Sequence, residues 1–286
     1  MNQRKIFWFF WMAGLSVVYF VTQPRAQADV ELPLLNQVPK IISVSEQFPL
    51  EQLERFRDVQ NMTLELRLTR GNIVPDEWIE FLNSRLPGIP KRVMVKGVLN
   101  PFHVGQIHKI NQVEVHYTVN PEGIDQQAQN ALFELGPIHK IVLLPENFTA
   151  ESLDAVRKLK FFVQAFNVPT EFFSKEQIAA MARDKSHRKL FSLSADIEPK
   201  RIIELTGIKP IILEVHTNHN QLPDNLLEVL KDLRGVELTI VVDGRLTQAE
   251  VKPLTKIERF SLKVNLNDAN EITPGLPQLL NKINPP

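Results

Sequence analysis

The chain has no cysteine, and that removes several chemistries at once. A thiol nucleophile, a cysteine-ligated zinc and a lipidated N-terminal cysteine are all excluded. Glycine is scarce as well, 11 in 286 residues, and no glycine-rich phosphate loop of the P-loop or dinucleotide type occurs. Neither G-x-S-x-G nor H-E-x-x-H is present. An excess of one charge is also missing: 33 basic residues face 33 acidic ones. Nucleic-acid binders carry a basic excess, so nucleic acid is not an expected partner. Beyond residue 21 no apolar run approaches the roughly 20 residues that span a bilayer. Disulfides are not needed either, because the 258 residues from Asp29 onward bury a sufficient core.

What is present begins at the N-terminus. Arg4 and Lys5 precede an apolar run from Ile6 to Val21, and Ala26-Gln27-Ala28 forms a small-x-small site. The pattern predicts a secretory signal peptide over residues 1–28, a lead-in over 29–39 and a repeat domain over 40–286. Export to a periplasm or to the outside follows, with a membrane role only if the first segment is retained as an anchor. Removing it takes away Arg4, Lys5 and Arg25, leaving 30 basic and 33 acidic residues and a net charge of −3.

The strongest signal is a repeat of about 49 residues. Ile42 and Val44 recur as Val93 and Val95, Val142 and Leu144, Phe191 and Leu193, and Ile240 and Val242. Each second member is followed 18 residues later by Met62, Val113, Phe162, Ile211 or Phe260. A fixed period of this size means a stacked or ring-like architecture. Within each copy two alternating, strand-like segments flank a connector with apolar spacing 5-3-3-3, such as Leu246, Val251, Leu254, Ile257 and Phe260. A longer connector opens as a helix, with Pro75-Asp76-Glu77 or Pro223-Asp224 at its start. The order is strand, short helix, strand, longer helix, five times over.

Ten strands at an average step under 25 residues fall short of the roughly 30 per unit of an eight-stranded β/α barrel. They match the 20–29 of leucine-rich repeats. The string Leu254-x-x-Ile257-x-x-Phe260-x-Leu262-x-x-Asn265 resembles the leucine-rich-repeat core. The resemblance implies that its last position holds an Asn bonding the next turn. Arg67, Thr118, Asn167, His216 and Asn265 fill that place, so the ladder is incomplete. The expected fold class is α/β, a leucine-rich-repeat-like solenoid of about ten strand–helix units, with a closed β/α barrel as the alternative.

No residue set is assigned as catalytic or metal-binding, and no cofactor is expected. Glu214, His216 and His219 form the nearest approach to a ligand cluster, read chiefly as a solvated strand edge. His116 with Glu114 repeats the theme without a convergent site. Met94, Leu143, Val163 and Ile212 are apolar where the last copy exposes Ser261 and Lys263. On a solenoid they would line the concave face, which predicts a binding surface for a protein or peptide partner. The functional expectation is an exported, non-enzymatic recognition or scaffold protein. The alternative is an exported β/α-barrel enzyme, a glycan hydrolase for instance, with Glu65 and Glu214 as candidate carboxylates.

Overall fold

The computed structural model describes residues 38–69, 71–169, 172–267 and 269–281. The expected signal peptide and most of the lead-in lie outside the described residues. Ten parallel strands run through the chain: β1 Lys40–Ser45, β2 Met62–Arg67, β3 Lys91–Lys96, β4 Val113–Thr118, β5 Lys140–Leu144, β6 Phe162–Asn167, β7 Lys189–Ser194, β8 Ile211–His216, β9 Glu237–Asp243 and β10 Ser261–Leu266. A helix follows each: α1 Leu50–Leu53, α2 Asp76–Ser84, α3 Pro101–Ile107, α4 Gln126–Glu134, α5 Ala150–Arg157, α6 Lys175–Arg183, α7 Pro199–Thr206, α8 Asp224–Asp232, α9 Gln248–Leu254 and α10 Leu276–Asn281.

The expected solenoid is corrected here. β1 pairs with β2 on one side and with β10 on the other, so the sheet closes into a barrel. A leucine-rich-repeat solenoid keeps two open ends, and this chain has none. Unit length does not prevent closure. Helices of 4–9 residues, entered and left by short loops, suffice to carry the chain back along a strand of five to seven residues. Following the strand registers once round the barrel returns to β1 displaced by ten residues. Shear therefore equals strand number, as in eight-stranded β/α barrels, where strands tilt by about 36°. Two extra strands widen the lumen beyond one that side chains just fill.

Period-two alternation puts one set of strand residues outward, against the helices, and the other into the lumen. Ile42, Val44, Val93, Val142, Phe191 and Ile240 belong to the outer core with Leu53, Val156 and Leu254. Aromatic rings thicken it around β6 and β7, where Phe166 stacks on Phe191 at 5.4 Å and Phe148 meets Phe166 at 4.9 Å. Helix starts are fixed locally. Asn100, Thr149 and Ser174 each accept a backbone N–H of the first turn of α3, α5 and α6.

Four lysines, Lys40, Lys91, Lys140 and Lys189, open the outward register of β1, β3, β5 and β7, and all are buried. Lys140 Nζ donates to the Gly136 and Ile138 carbonyls at 2.9 and 2.6 Å. Lys189 Nζ reaches the His187 carbonyl at 2.8 Å, and Lys40 Nζ the Gln60 carbonyl at 3.1 Å. These ammonium groups satisfy loop carbonyls where the chain turns into a strand, which water would otherwise have to do. Lys91 Nζ has no hydrogen-bond partner among the described residues.

Candidate functional site: the barrel lumen and its C-terminal mouth

Equal shear and strand number make inward residues of alternate strands share a level, as in eight-stranded barrels. Here each level holds five side chains. From the N-terminal end the levels run Thr63, Glu114, Val163, Ile212 and Ser261; then Ile41, Arg92, Ile141, Leu190 and Thr239. Above these lie Glu65, His116, Ala165, Glu214 and Lys263, followed by Ser43, Met94, Leu143, Ser192 and Val241. Arg67, Thr118, Asn167, His216 and Asn265 close the series at the C-terminal mouth.

The lumen has two sides. Ile141, Val163, Ala165 and Leu190 form an apolar wall, with Leu143 and Ile212 packed against it. The facing side is ionic. Lys263 Nζ lies 2.9 Å from Glu65 Oε1 and 3.5 Å from Glu214 Oε2. Ser43 Oγ donates to Glu65 Oε1 at 2.8 Å, and Arg92 Nη1 takes Glu65 Oε2 at 3.1 Å. Arg92 also pairs with Glu114, whose other oxygen lies 3.3 Å from His139 Nδ1. Glu65 is fully buried with both oxygens occupied.

Charge sets the protonation states. Burial alone would raise the Glu65 carboxyl, but Lys263 and then Arg92 outweigh it and hold it at about 2. Burial likewise opposes ionisation of Glu214, and Lys263 with the His216 hydrogen bond brings it far below the carboxylate range. Lys263 is pushed up by Glu214 and Glu65 against the cost of its burial. His116 is lowered to about 4 by burial, and neither ring nitrogen finds a partner. It is therefore neutral at physiological pH, a polar filler between the charges.

At the mouth, His216 Nε2 lies 2.9 Å from Ser192 Oγ and 3.1 Å from Glu214 Oε1. The imidazole is 43% exposed and Glu214 only 10%. Both contacts fall on one nitrogen, so this is not a relay in which hydroxyl and carboxylate take opposite ring nitrogens. A proton on Nε2, drawn to Glu214, leaves Nδ1 with its lone pair and no partner among the described residues. The loops beside the mouth are pinned. Asn72 donates to the Lys96 and Val98 carbonyls at 2.8 and 2.6 Å, and Asn220 donates to Asp243 Oδ1 at 2.9 Å. Both asparagines hold φ of 60°, a left-handed conformation that Asn tolerates better than most residues.

Several expectations change. Glu65 and Glu214, which nothing in the sequence joined, meet on Lys263. Lys263, expected at the surface, is 5% exposed, because its strand face turns into a lumen rather than to solvent. Glu214 and His216 do converge, whereas His219 stands exposed in the following loop. Among the described residues no group of His, Asp and Glu is arranged to hold a metal ion. Met94, Leu143, Val163 and Ile212 lie on the lumen side, with Val163 2% exposed; the concave solenoid face assigned to them does not exist. Arg92 and Ser192 were missed. The sign alternation Glu65, Arg92, Glu114 at paired register positions was the signal for Arg92; Ser192 had none.

A cleft of about 990 Å³ opens at the opposite, N-terminal end, lined by Val38, Leu233, Glu237, Thr239, Phe260 and others. Its lining is charged at the rim, with Lys231, Arg234, Glu237, Glu258 and Arg259. Its Arg234 and Glu258 are exposed and paired with each other at 2.8 Å.

No family model and no curated protein matches the chain. Two solved structures of tryptophan synthase from Mycobacterium tuberculosis align with it. One, in space group F222, covers 87% of this chain and 92% of its own, with a TM-score of 0.36 and 12% identity. The other, an open form with BRD0059 bound, covers 90% and 97%, with a TM-score of 0.37 and 13% identity. Likeness at this level assigns neither substrate nor cofactor. Among the described residues no helix is long and apolar enough to cross a membrane.

Proposed function

We propose that the chain is an exported β/α-barrel enzyme that moves a proton on a small polar molecule at the C-terminal mouth. His216 is the acid–base residue. The observation that carries this reading is the half-exposed His216, oriented by buried, ionised Glu214 and by Ser192 at the C-terminal ends of β7 and β8. In β/α barrels this end is where chemistry is built. The Glu214–Lys263–Glu65 chain beneath acts as the rigid support that fixes the imidazole. Met94 and Leu143, one level below the mouth, supply an apolar floor, and Val163 and Ile212 continue that wall downward.

Glycoside hydrolysis is not part of the proposal. It needs one carboxyl kept protonated beside another that is ionised. Lys263 and its neighbours favour the charged form of both Glu65 and Glu214. Ser192 is no activated nucleophile, since it shares its histidine nitrogen with Glu214.

The test is turnover of a panel of small carboxylates, phosphates and hydroxylated molecules, followed by NMR in deuterated water. The expected result is exchange or conversion of at least one compound, reduced by about 10²-fold or more in His216→Gln. A panel left untouched, or turnover unchanged in the variant, overturns the reading. Export is checked by N-terminal sequencing of protein recovered outside the cytoplasm. Asp29 is expected at the start; a retained Met1 would mean an anchored form.

A further inference from the structure

Among the described residues, the mouth ring contains one cation that no carboxylate touches. Arg67 Nη2 donates to the Leu266 carbonyl at 3.3 Å and to Asn267 Oδ1 at 2.8 Å, both neutral acceptors. Its Nε is buried and has no partner. Glu65, two residues back on the same strand face, cannot supply one. Its oxygens are already taken by Ser43, Lys263 and Arg92. Desolvation lowers the basicity of this guanidinium and Glu65 only partly restores it. The Nε is closed to solvent, so a ligand meets the terminal nitrogens of this half-buried guanidinium, whose fork fits the geometry of an oxyanion.

The rest of the level agrees in sign. Thr118, Asn167 and Asn265 can all donate, and no member of the ring is acidic. The carboxylate just above, Asp243, is held by Arg245 at 2.9 Å and by Asn220. We infer that the mouth binds a small molecule through an anionic oxyanion group, a carboxylate or a phosphate, seated on Arg67 and within the same five-residue ring as His216. This rests on the mouth being the working end, as proposed above, and adds the substrate class. Arg67 anchors the anion while His216 faces the remainder of the molecule, so binding and proton transfer fall to different residues.

Calorimetric titration of the purified protein with inorganic phosphate and, separately, with malonate tests this. Saturable binding of one probe is expected, and which one binds distinguishes a phosphate from a carboxylate substrate. Arg67→Met should weaken it by about tenfold or more, the loss of one charge-assisted hydrogen bond. Arg67→Lys, which keeps the charge without the fork, should weaken it less and serves if the methionine variant does not fold. His216→Gln should bind within about threefold of the parent. Failure of both probes to bind, or equal affinity in the parent, Arg67→Met and Arg67→Lys, overturns the inference. Anion binding lost with Arg67 while turnover survives in His216→Gln would sink the proton-transfer proposal alone. Turnover that needs His216 but is indifferent to Arg67 would sink the anion inference alone.

Discussion

Replacing Lys263 by methionine removes the only cation among the described residues that bridges Glu65 and Glu214, at nearly constant volume. Its ammonium lies 2.9 Å from one carboxylate and 3.5 Å from the other. Glu65 keeps Arg92 and Ser43, but Glu214 keeps only His216. Breaking a buried ion pair on one side costs about 3–5 kcal/mol, because the stranded charge has lost its compensation without regaining water. The Glu65 carboxyl, which Lys263 and Arg92 hold down together, gives the figure for the whole cluster. It is held at about 2 against a usual 4.5, a difference that corresponds to about 3 kcal/mol at neutral pH. In the parent this stability is fully present above about pH 4.5 and drains away as pH falls toward 2, because a depressed carboxylate favours folding only while ionised. In Lys263→Met the sign reverses for the carboxylate left without its cation. Its affinity for a proton rises above that of the unfolded chain, so lowering the pH relieves the defect. Urea midpoints for both proteins at pH 7 and pH 5 are the assay. A deficit of about 3–5 kcal/mol at pH 7, narrowing at pH 5, is expected. In heat this is a fall of roughly 10 °C. A variant as stable as the parent at pH 7 would mean the lumen is wet and Lys263 dispensable.

Leu254→Asp places a charge in the outer core at a site 1% exposed and should cost about 4 kcal/mol or more, read as loss of soluble, folded protein. Joint replacement of Val163 and Ile212 by serine should lower the urea midpoint by the equivalent of about 2–4 kcal/mol, because both side chains belong to the apolar wall of the lumen. Lys140→Met strands the Gly136 and Ile138 carbonyls and should cost about 1–3 kcal/mol. Lys91→Met abandons no carbonyl and removes a desolvated ammonium that burial already depresses. Its thermal midpoint should match or exceed that of the parent, and any gain should shrink as pH rises and the parent lysine deprotonates.

The period, the strand positions and the alternation of short and longer helices were legible, because each depends on local apolar spacing that any repeat architecture must keep. Closure was not. Whether ten strand–helix units coil openly or meet depends on the small rotation between neighbours, and no single residue encodes that rotation. The same ambiguity misplaced the second strand face. Glu214, His216, Ser261 and Lys263 read as solvent-facing because they are polar. A ten-stranded barrel has an interior too wide for apolar side chains to fill alone, and polar residues that compensate one another occupy it.

The incomplete ladder position shows how a departure from pattern points to the site. In an open solenoid, equivalent positions stack along an edge, each meeting only its neighbours, and the same residue can serve every copy. Curled into a closed ring, the five positions face one axis, and five identical side chains would crowd or repel. Arg67, Thr118, Asn167, His216 and Asn265 differ from one another while the apolar register around them repeats. The inward levels beneath the mouth diverge in the same way, and at the C-terminal mouth the divergence yields Arg67 and His216. Directly beneath it, Ser43 and Ser192 face Met94, Leu143 and Val241 on the same level. A repeat that holds its outward core constant while varying its inward positions has preserved the scaffold and released those positions from it. The chemistry found there, a guanidinium with a free N–H and an imidazole set by a buried carboxylate, is what such freedom makes possible.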